Sequence, residues 1–555
     1  MTRPISSPNY RTERILYPEL LNGKCPACEQ SVQFCYADNG KVVICLHEQI
    51  HQIVNLYQCN NPQCALFGKR FNPAPRFDYS GRHFGKDVFL YIAHEFLKRK
   101  QNPEEIYARI TEDEGTDISL DTVSRICDDI LLLKANQIDQ RTRDILQNRP
   151  DVVMAMDGQD PGKLKICLWL FTDVLSGRLL AVRHFESLDY TELYRTIESI
   201  KQDLKIRIIG FLSDKQSLIV KCLETYYPAI PHQYCQFHFL SNHWRFLSAL
   251  DSGLYMTLRK VIESQYIHCT SKSAAVEFEG IGNHSPREVF ASVDRDLQRM
   301  LKITTKKFEK LRGLWLYTTL KGYVEEGRRT YASLDSTYRF SIILRKLIDE
   351  LAEALAQSES LFQEITEAFH WFKELQEILG KKELRKVERM QQMDETYKKI
   401  WKKVLKCHPR STVESLKTLQ IGKKLPVWKV LAEWVRLWQS YLPGLFKYYE
   451  FPLDFRTNVE QERAFGWEKQ QLYARIGKTD VSQMVVSRGP YYLRLFYSET
   501  DEIGEDPTKF IENGILRTLR GELQQMIQKT SEGWLVETPI FEGFDIAQRS
   551  YYVRA

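Results

Sequence analysis

Asp151-Val152-Val153-Met154-Ala155-Met156-Asp157 is an apolar run that ends on a carboxylate. A run without polar alternation suits a strand buried on both faces of a sheet. The residues downstream extend the pattern. Lys163 to Asp173 and Arg178 to Glu186 read as the next two strands, joined by a Ser176-Gly177 turn. Tyr190 to Leu204 has helical periodicity, and Arg207-Ile208-Ile209-Gly210-Phe211-Leu212-Ser213-Asp214 is a fourth strand, again ending on an aspartate. A helix over Gln216 to Tyr226 and a short fifth strand over His232 to Cys235 complete the series.

Three strands, helix, strand, helix, strand is the order of an RNase H-like α/β core, in which the first and fourth strands are neighbours. Asp157 and Asp214 are then expected to converge at one edge of the sheet. Adjacent buried carboxylates repel one another and call for cations between them. Asp160, Asp173 and Asp189 read instead as ordinary turn aspartates. A further set of acids comes late in the chain, where Arg456-Thr457-Asn458-Val459-Glu460-Gln461-Glu462-Arg463-Ala464-Phe465 reads as the start of a helix. Three carboxylates delivered from separate elements suit two Mg²⁺ (or Mn²⁺) ions about 3.5–4 Å apart, the arrangement used in phosphoryl transfer.

Near the N-terminus, Cys25-Pro26-Ala27-Cys28 and Cys59-Asn60-Asn61-Pro62-Gln63-Cys64 form two knuckles, the second with four intervening residues rather than two. Paired thiolates from two knuckles close a tetrahedral shell, which predicts structural Zn²⁺ on Cys25, Cys28, Cys59 and Cys64. Cys35, Cys45, His47 and His51 lie between them as substitute ligands. Lys41 to Cys45 and Gln52 to Tyr57 read as the strands of a zinc ribbon. Helical patterns follow over Asp87 to Lys100, from Asn102-Pro103 onward, and from Ser119 onward. Their succession resembles a helix-turn-helix, whose third helix would bring Thr122, Ser124 and Arg125 to a DNA major groove. Any three-helix packing unit has a similar pattern.

The chain has 555 residues, more than one core usually serves. From about Leu247 to Phe446 it is helical in pattern nearly throughout, which predicts an all-α insertion between the second aspartate and the late acids. Within it, Lys381 to Lys406 holds ten Lys/Arg against four acids, net +6, as large as the excess of the whole chain. Such a helix can follow a phosphate backbone or simply be solvated. The twelve cysteines do not make a disulfide scaffold, and Cys127, Cys167, Cys222, Cys269 and Cys407 read as small buried hydrophobes. The longest apolar runs are too short to cross a bilayer, and Met1 to Ser7 lacks a secretory core, which together predict a cytoplasmic protein without membrane attachment.

Asp157, Asp214, the Cys235-Gln236-Phe237-His238 tetrad and the Arg456 to Glu462 segment resemble the DDE transposases of bacterial insertion sequences and Mutator-like elements. Tyr473-Ala474-Arg475-Ile476-Gly477-Lys478 is similar to the basic continuation of that family. The resemblance implies a nucleoid-associated enzyme that binds transposon ends, hydrolyses a phosphodiester and joins the freed end to target DNA. Its partners would be double-stranded DNA and further copies of itself, as a dimer or larger assembly. The family's spacing from the Thr-Asn pair implies Glu462 as the third acid, with Glu460 and Glu468 as alternatives. Cys235, His238 and Asn458 are expected to brace the site. The implied organisation is a tail (1–20), zinc ribbon (21–78), helix-turn-helix (79–148), core (149–246 and 447–500) split by the insertion (247–446), and a second tail (501–555). Two other functions fit the same residues: an inactive DNA-binding regulator derived from such an enzyme, and an RNase H-like nuclease without strand transfer.

Overall fold

A computed structural model of the chain describes residues 12–16, 23–37, 40–72, 77–78, 83–159, 167–185, 188–273, 286–302, 307–332, 339–407, 409, 426–451, 455–476, 482–497 and 515–531. Asp160, most of both tails and the Gly477-Lys478 end of the basic motif lie outside these residues. The chain is mixed α/β and mostly helical, and it divides into two compact units. The first comprises residues 1–211, 217–231 and 458–555, and the second residues 212–216 and 232–457.

The first unit opens with two small sheets. β1 (Thr12–Leu16), β4 (Gln49–Gln52) and β3 (Lys41–Ile44) form one; β2 (Val32–Ala37), β5 (Asn55–Cys59) and β6 (Arg70–Phe71) form the other. Three helical segments follow. α1 (Lys86–Ala93) runs on into a π-turn over His94–Lys98. α2 (Pro103–Glu112) begins at a capping box, the Asn102 side chain accepting from Glu105 N–H and Glu105 reaching back to Asn102 N–H. α3 (Leu120–Asn148) is capped by Ser119, as its sequence predicts, but continues for 29 residues. Residues 129–136 of α3 are all buried, so this helix is surrounded rather than laid on a surface.

The predicted strands fall where the apolar runs place them: β7 (Asp151–Gln159), β8 (Cys167–Asp173), β9 (Arg178–Phe185) and β10 (Arg207–Ser213), with α4 (Tyr190–Leu204) and α5 (Ser217–Tyr226) between and after the last two. Within this unit the sheet order is β10-β7-β8-β9, so the first and fourth strands are neighbours. Alternation along β7 splits its side chains between two cores. Met154 and Met156 face Leu193, Ile197 and Ile200 of α4 and Ile219 and Leu223 of α5. Asp157 and Ala155 point the opposite way, on the face where Leu168 and Leu170 of β8 pack with α3 and the chain's C-terminal helices. Gly158 follows Asp157 because its strand partner is Trp169, whose ring a Cβ there would approach to 2.9 Å.

The second unit takes the end of β10, where Ser213 C=O accepts from Cys235 N–H (2.8 Å), and β11 (His232–Tyr234). Then come α6 (Gln236–Ser273), α7 (Pro286–Leu301), α8 (Arg312–Ala332), α9 (Arg339–Gly380), α10 (Lys386–Cys407) and α11 (Val427–Leu445). α9 runs unbroken for 42 residues, since Ala356-Gln357 near its middle contains no breaker. Trp371, Trp434 and Trp438 are buried, Trp434 fully, as core residues should be. Deep in this unit His243 Nδ1–H donates to Phe239 C=O (2.8 Å), which leaves Nε2 to accept from the Tyr397 hydroxyl (2.8 Å).

The chain re-enters the first unit with α12 (Val459–Ile476), α13 (Ser482–Ser487), α14 (Gly489–Phe496) and α15 (Ile515–Ser531). The C-terminal amphipathic helix is not a loose appendage. Leu516, Leu519 and Leu523 join the core around α3. Three arginines also pair with aspartates along α3: Arg488 with Asp128 (2.7 and 2.9 Å) and Arg520 with Asp129 bidentately, and Arg494 through one Nε–H shared between both Asp139 oxygens (2.8 and 2.9 Å). Among the scattered cysteines, Cys127 and Cys222 are buried and Cys167 is half-buried; Cys407, at the end of α10, is exposed, and the Cys269 side chain lies outside the description. No helix among the described residues is long and apolar enough to cross a membrane.

Candidate functional site

Cys25, Cys28, Cys59 and Cys64 converge, all four sulfurs lying within 4.8 Å of one another. Cys25 Sγ stands 3.7 Å from Cys64 Sγ and Cys28 Sγ 3.6 Å from Cys59 Sγ. A tetrahedron with Zn–S bonds of about 2.3 Å has edges of about 3.8 Å, so the set is close enough and well shaped for such an ion. The local backbone supports it. The turn at Cys25–Gln30 is closed by Cys25 N–H to Gln30 C=O (2.7 Å) and Glu29 N–H to Cys25 C=O (2.8 Å). Leu66 N–H points at Cys64 Sγ (3.4 Å); a backbone hydrogen bond at Gln30 holds the Cys28 thiol down to about 7, while burial and the neighbouring thiols push Cys59 and Cys64 up. The substitute ligands take no part. Burial pushes the Cys45 thiol up to about 12, with Asp87 adding to it, and Cys35 Sγ faces Gln58 and the Gln33 carbonyl.

The second centre is built at the start of α12. Gln461 and Asn458 are buried there. The Gln461 amide nitrogen donates to Ala155 C=O (3.1 Å), Leu170 C=O (3.3 Å) and Thr172 Oγ1 (3.1 Å), which ties the helix to β7 and β8. Asn458 C=O accepts from Gln461 N–H (3.0 Å) and Glu462 N–H (3.4 Å), while its side-chain nitrogen donates to Asp157 Oδ2 (3.2 Å). Gly158 N–H donates to Asp157 Oδ1 (3.0 Å). Asp157 is thus oriented through both oxygens and is only 6% exposed. A Glu462 carboxylate oxygen comes within 4.8 Å of one from Asp157. Two carboxylates this close are stabilised by a cation held between them, so the donor set fits a hard divalent ion.

The late glutamates are separated by helix geometry. Glu460 is exposed and paired with Arg463 (2.8 Å). Gln461, Ala464, Phe465, Glu468 and Leu472 form the inward stripe of α12, so Glu468 is turned into the apolar core at 0% exposure. Neither of its oxygens has a hydrogen-bond partner, and burial pushes its carboxyl up to about 8, Lys469 and Gln159 pulling less strongly the other way. A further buried polar group, Tyr497, lies just past α14. Its hydroxyl is buried without a partner, and burial together with the charges of Glu460 and Asp157 raises its pKa. An aromatic at a helix end carries no motif that would single it out.

Asp214, Cys235 and His238 belong to the second unit. Asp214 accepts weakly from Gln216 N–H (3.4 Å), and its charge helps to raise the pKa of Tyr441, after burial. Cys235 is fully buried between β11 and α6, and His238 is half-buried on the first turn of α6. In the first unit, Thr122 shares the Ser119 hydroxyl cap (2.9 Å), and Arg125 is exposed but engaged with Asp121 (3.1 Å) and Thr122 (3.3 Å). Ser124 is half-buried. The ordinary aspartates behave as such: Asp173 accepts from the N–H groups of Val153, Leu175 and Ser176, and Asp189 caps α4 through Thr191 and Glu192. The chain matches no protein-family model and no curated protein.

Proposed function

We propose that the chain is a DNA transposase with an RNase H-like catalytic core, a zinc ribbon and a helix-turn-helix. The observation that carries this reading is the approach of Glu462 to Asp157, the latter held in place by Asn458. Asp214, at the end of the strand next to β7, is assigned as the second aspartate beside Asp157, with Glu462 as the third acid. Divalent ions held by these carboxylates would supply activation of the attacking oxygen and stabilisation of the leaving one. The chain's own contribution is alignment: Asn458 and Gly158 N–H fix the Asp157 oxygens, and Gln461 fixes the helix from which Glu462 projects. The four-cysteine cluster is assigned to structural Zn²⁺ and the region around Thr122, Ser124 and Arg125 to duplex DNA.

The test is incubation of purified protein with the end DNA of its element and Mg²⁺ or Mn²⁺, beside Asp157→Ala and Glu462→Ala. Nicking and joining by the wild type, lost in both variants while DNA binding persists, is the expected result. Cleavage without joining would favour the nuclease. Binding with no metal-dependent cleavage over several end sequences would favour the regulator.

A further inference from the structure

The basic run Lys381 to Lys406 does not survive folding as a uniformly charged helix. Lys398 pairs with Asp394 (2.7 Å), Lys399 with Glu374 (3.1 Å), Lys403 with Glu367 (2.6 Å) and Lys386 with Glu450 (3.5 Å). Arg389 is 1% exposed. What remains both exposed and without an ion partner among the described residues is Lys402 and Lys406 at one end, and Lys381, Lys382 and Arg385 in the turn joining α9 to α10. That turn holds three exposed cations and one acid, Glu383.

The turn is held from within. Arg389 Nη1–H donates to Leu379 C=O (3.0 Å) and to Tyr448 Oη (2.9 Å), and its Nη2 donates to Lys381 C=O. The Tyr449 hydroxyl donates to Leu384 C=O (2.5 Å), and Arg456 Nη1–H donates to Leu379 C=O (2.7 Å). Arg385 N–H is capped by Glu388 (3.0 Å). The Leu379, Lys381 and Leu384 carbonyls are thus held by buried or half-buried side chains, which fixes the backbone of an exposed, highly charged segment. Arg456 is also the residue two before Asn458 in the chain, so the clamp on this turn is part of the segment that leads into α12. Three long cations on a fixed backbone lose less freedom on binding than they would on a mobile loop.

We propose that the α9–α10 turn is a phosphate-binding surface for duplex DNA, with Lys381, Lys382 and Arg385 each contacting the backbone. The proposal rests on the DNA reading above and adds a contact region outside the helix-turn-helix and the acidic centre. Backbone contacts of this kind set affinity and salt dependence without reading sequence.

The experiment measures binding of the full-length protein to a fluorescent duplex of mixed sequence across a salt series. It compares the wild type, the combined Lys381→Ala, Lys382→Ala, Arg385→Ala variant, and a Lys402→Ala, Lys406→Ala variant, all checked for unchanged melting. Loss of three phosphate contacts lowers the slope of log K against log salt by about 2.7, so raising salt from about 50 to about 200 mM weakens the triple variant about 40-fold less than the wild type. The Lys402, Lys406 variant is expected to keep the wild-type slope. An unchanged slope in the triple variant, or the same fall per charge in the control, overturns this inference and leaves the transposase reading standing. Failure of the wild type to bind duplex DNA at all overturns both.

Discussion

Replacing Glu468 with glutamine should stabilise the protein, and by an amount that depends on pH. Glu468 lies at 0% exposure on the inward stripe of α12, with no hydrogen bond to either oxygen. Its folded-state pKa of about 8 stands above the 4.5 of an unperturbed glutamate, burial being the main cause. A raised value means that the folded state holds a proton which the unfolded chain has released. The group's contribution is therefore complete below about 4.5 and is lost as pH rises toward 8. Each pH unit in that window costs about 1.4 kcal/mol, so by pH 7 the burden reaches about 3 kcal/mol. Glu468→Gln keeps the shape and removes the proton linkage. Its advantage in melting temperature should be small near pH 5, grow to about 4 °C at pH 7 for a unit of this size and level off above 8. The assay is a set of thermal melts of both proteins from pH 5 to 9. A difference that does not change with pH would refute the reasoning, because it would mean that the Glu468 carboxyl titrates alike in the folded and unfolded chain.

Two further outcomes follow from the same kind of argument. His184, His232 and His243 are held neutral by burial, with values of about 4, 3 and 4 against an ordinary 6.5, so the unfolded chain protonates first and stability falls as pH drops below about 6.5. The loss is about 1.4 kcal/mol per pH unit for each histidine, and His243→Gln should flatten the acid limb of a denaturant titration by one such increment. Protein purified without chelator should carry one Zn²⁺ on Cys25, Cys28, Cys59 and Cys64 by metal analysis, and Cys59→Ser should lose it together with protease resistance of residues 23–72, the α3 core remaining folded.

Much of the fold was legible in local sequence. The apolar run before Asp157 suited a doubly buried strand and forms one, the period-3.6 pattern of Tyr190 to Leu204 matched α4 to the residue, and Asn102-Pro103 and Ser119 marked helix starts through cap chemistry that acts within one turn. The four cysteines were equally plain, since their spacing is itself a coordination requirement.

What local pattern could not decide were the long-range pairings. Glu460, Glu462 and Glu468 are equivalent as letters; only the docking of Gln461 on β7 and β8 sends Glu462 toward Asp157, leaves Glu460 to Arg463 and drives Glu468 into the core. The charges of Lys381 to Lys406 were countable, but which of them are spent on Glu367, Glu374 and Glu450 depended on how α9, α10 and the segment after α11 pack. The partners of Asp128, Asp129 and Asp139 lie more than 350 residues away, beyond any periodicity. Sequence by itself determined which residues must be buried, capped or ligated, because those demands are met within a turn or a strand. The tertiary structure decided which carboxylates meet and which cations stay free, because charge pairing is set by distance in space, which the order of residues along the chain does not fix.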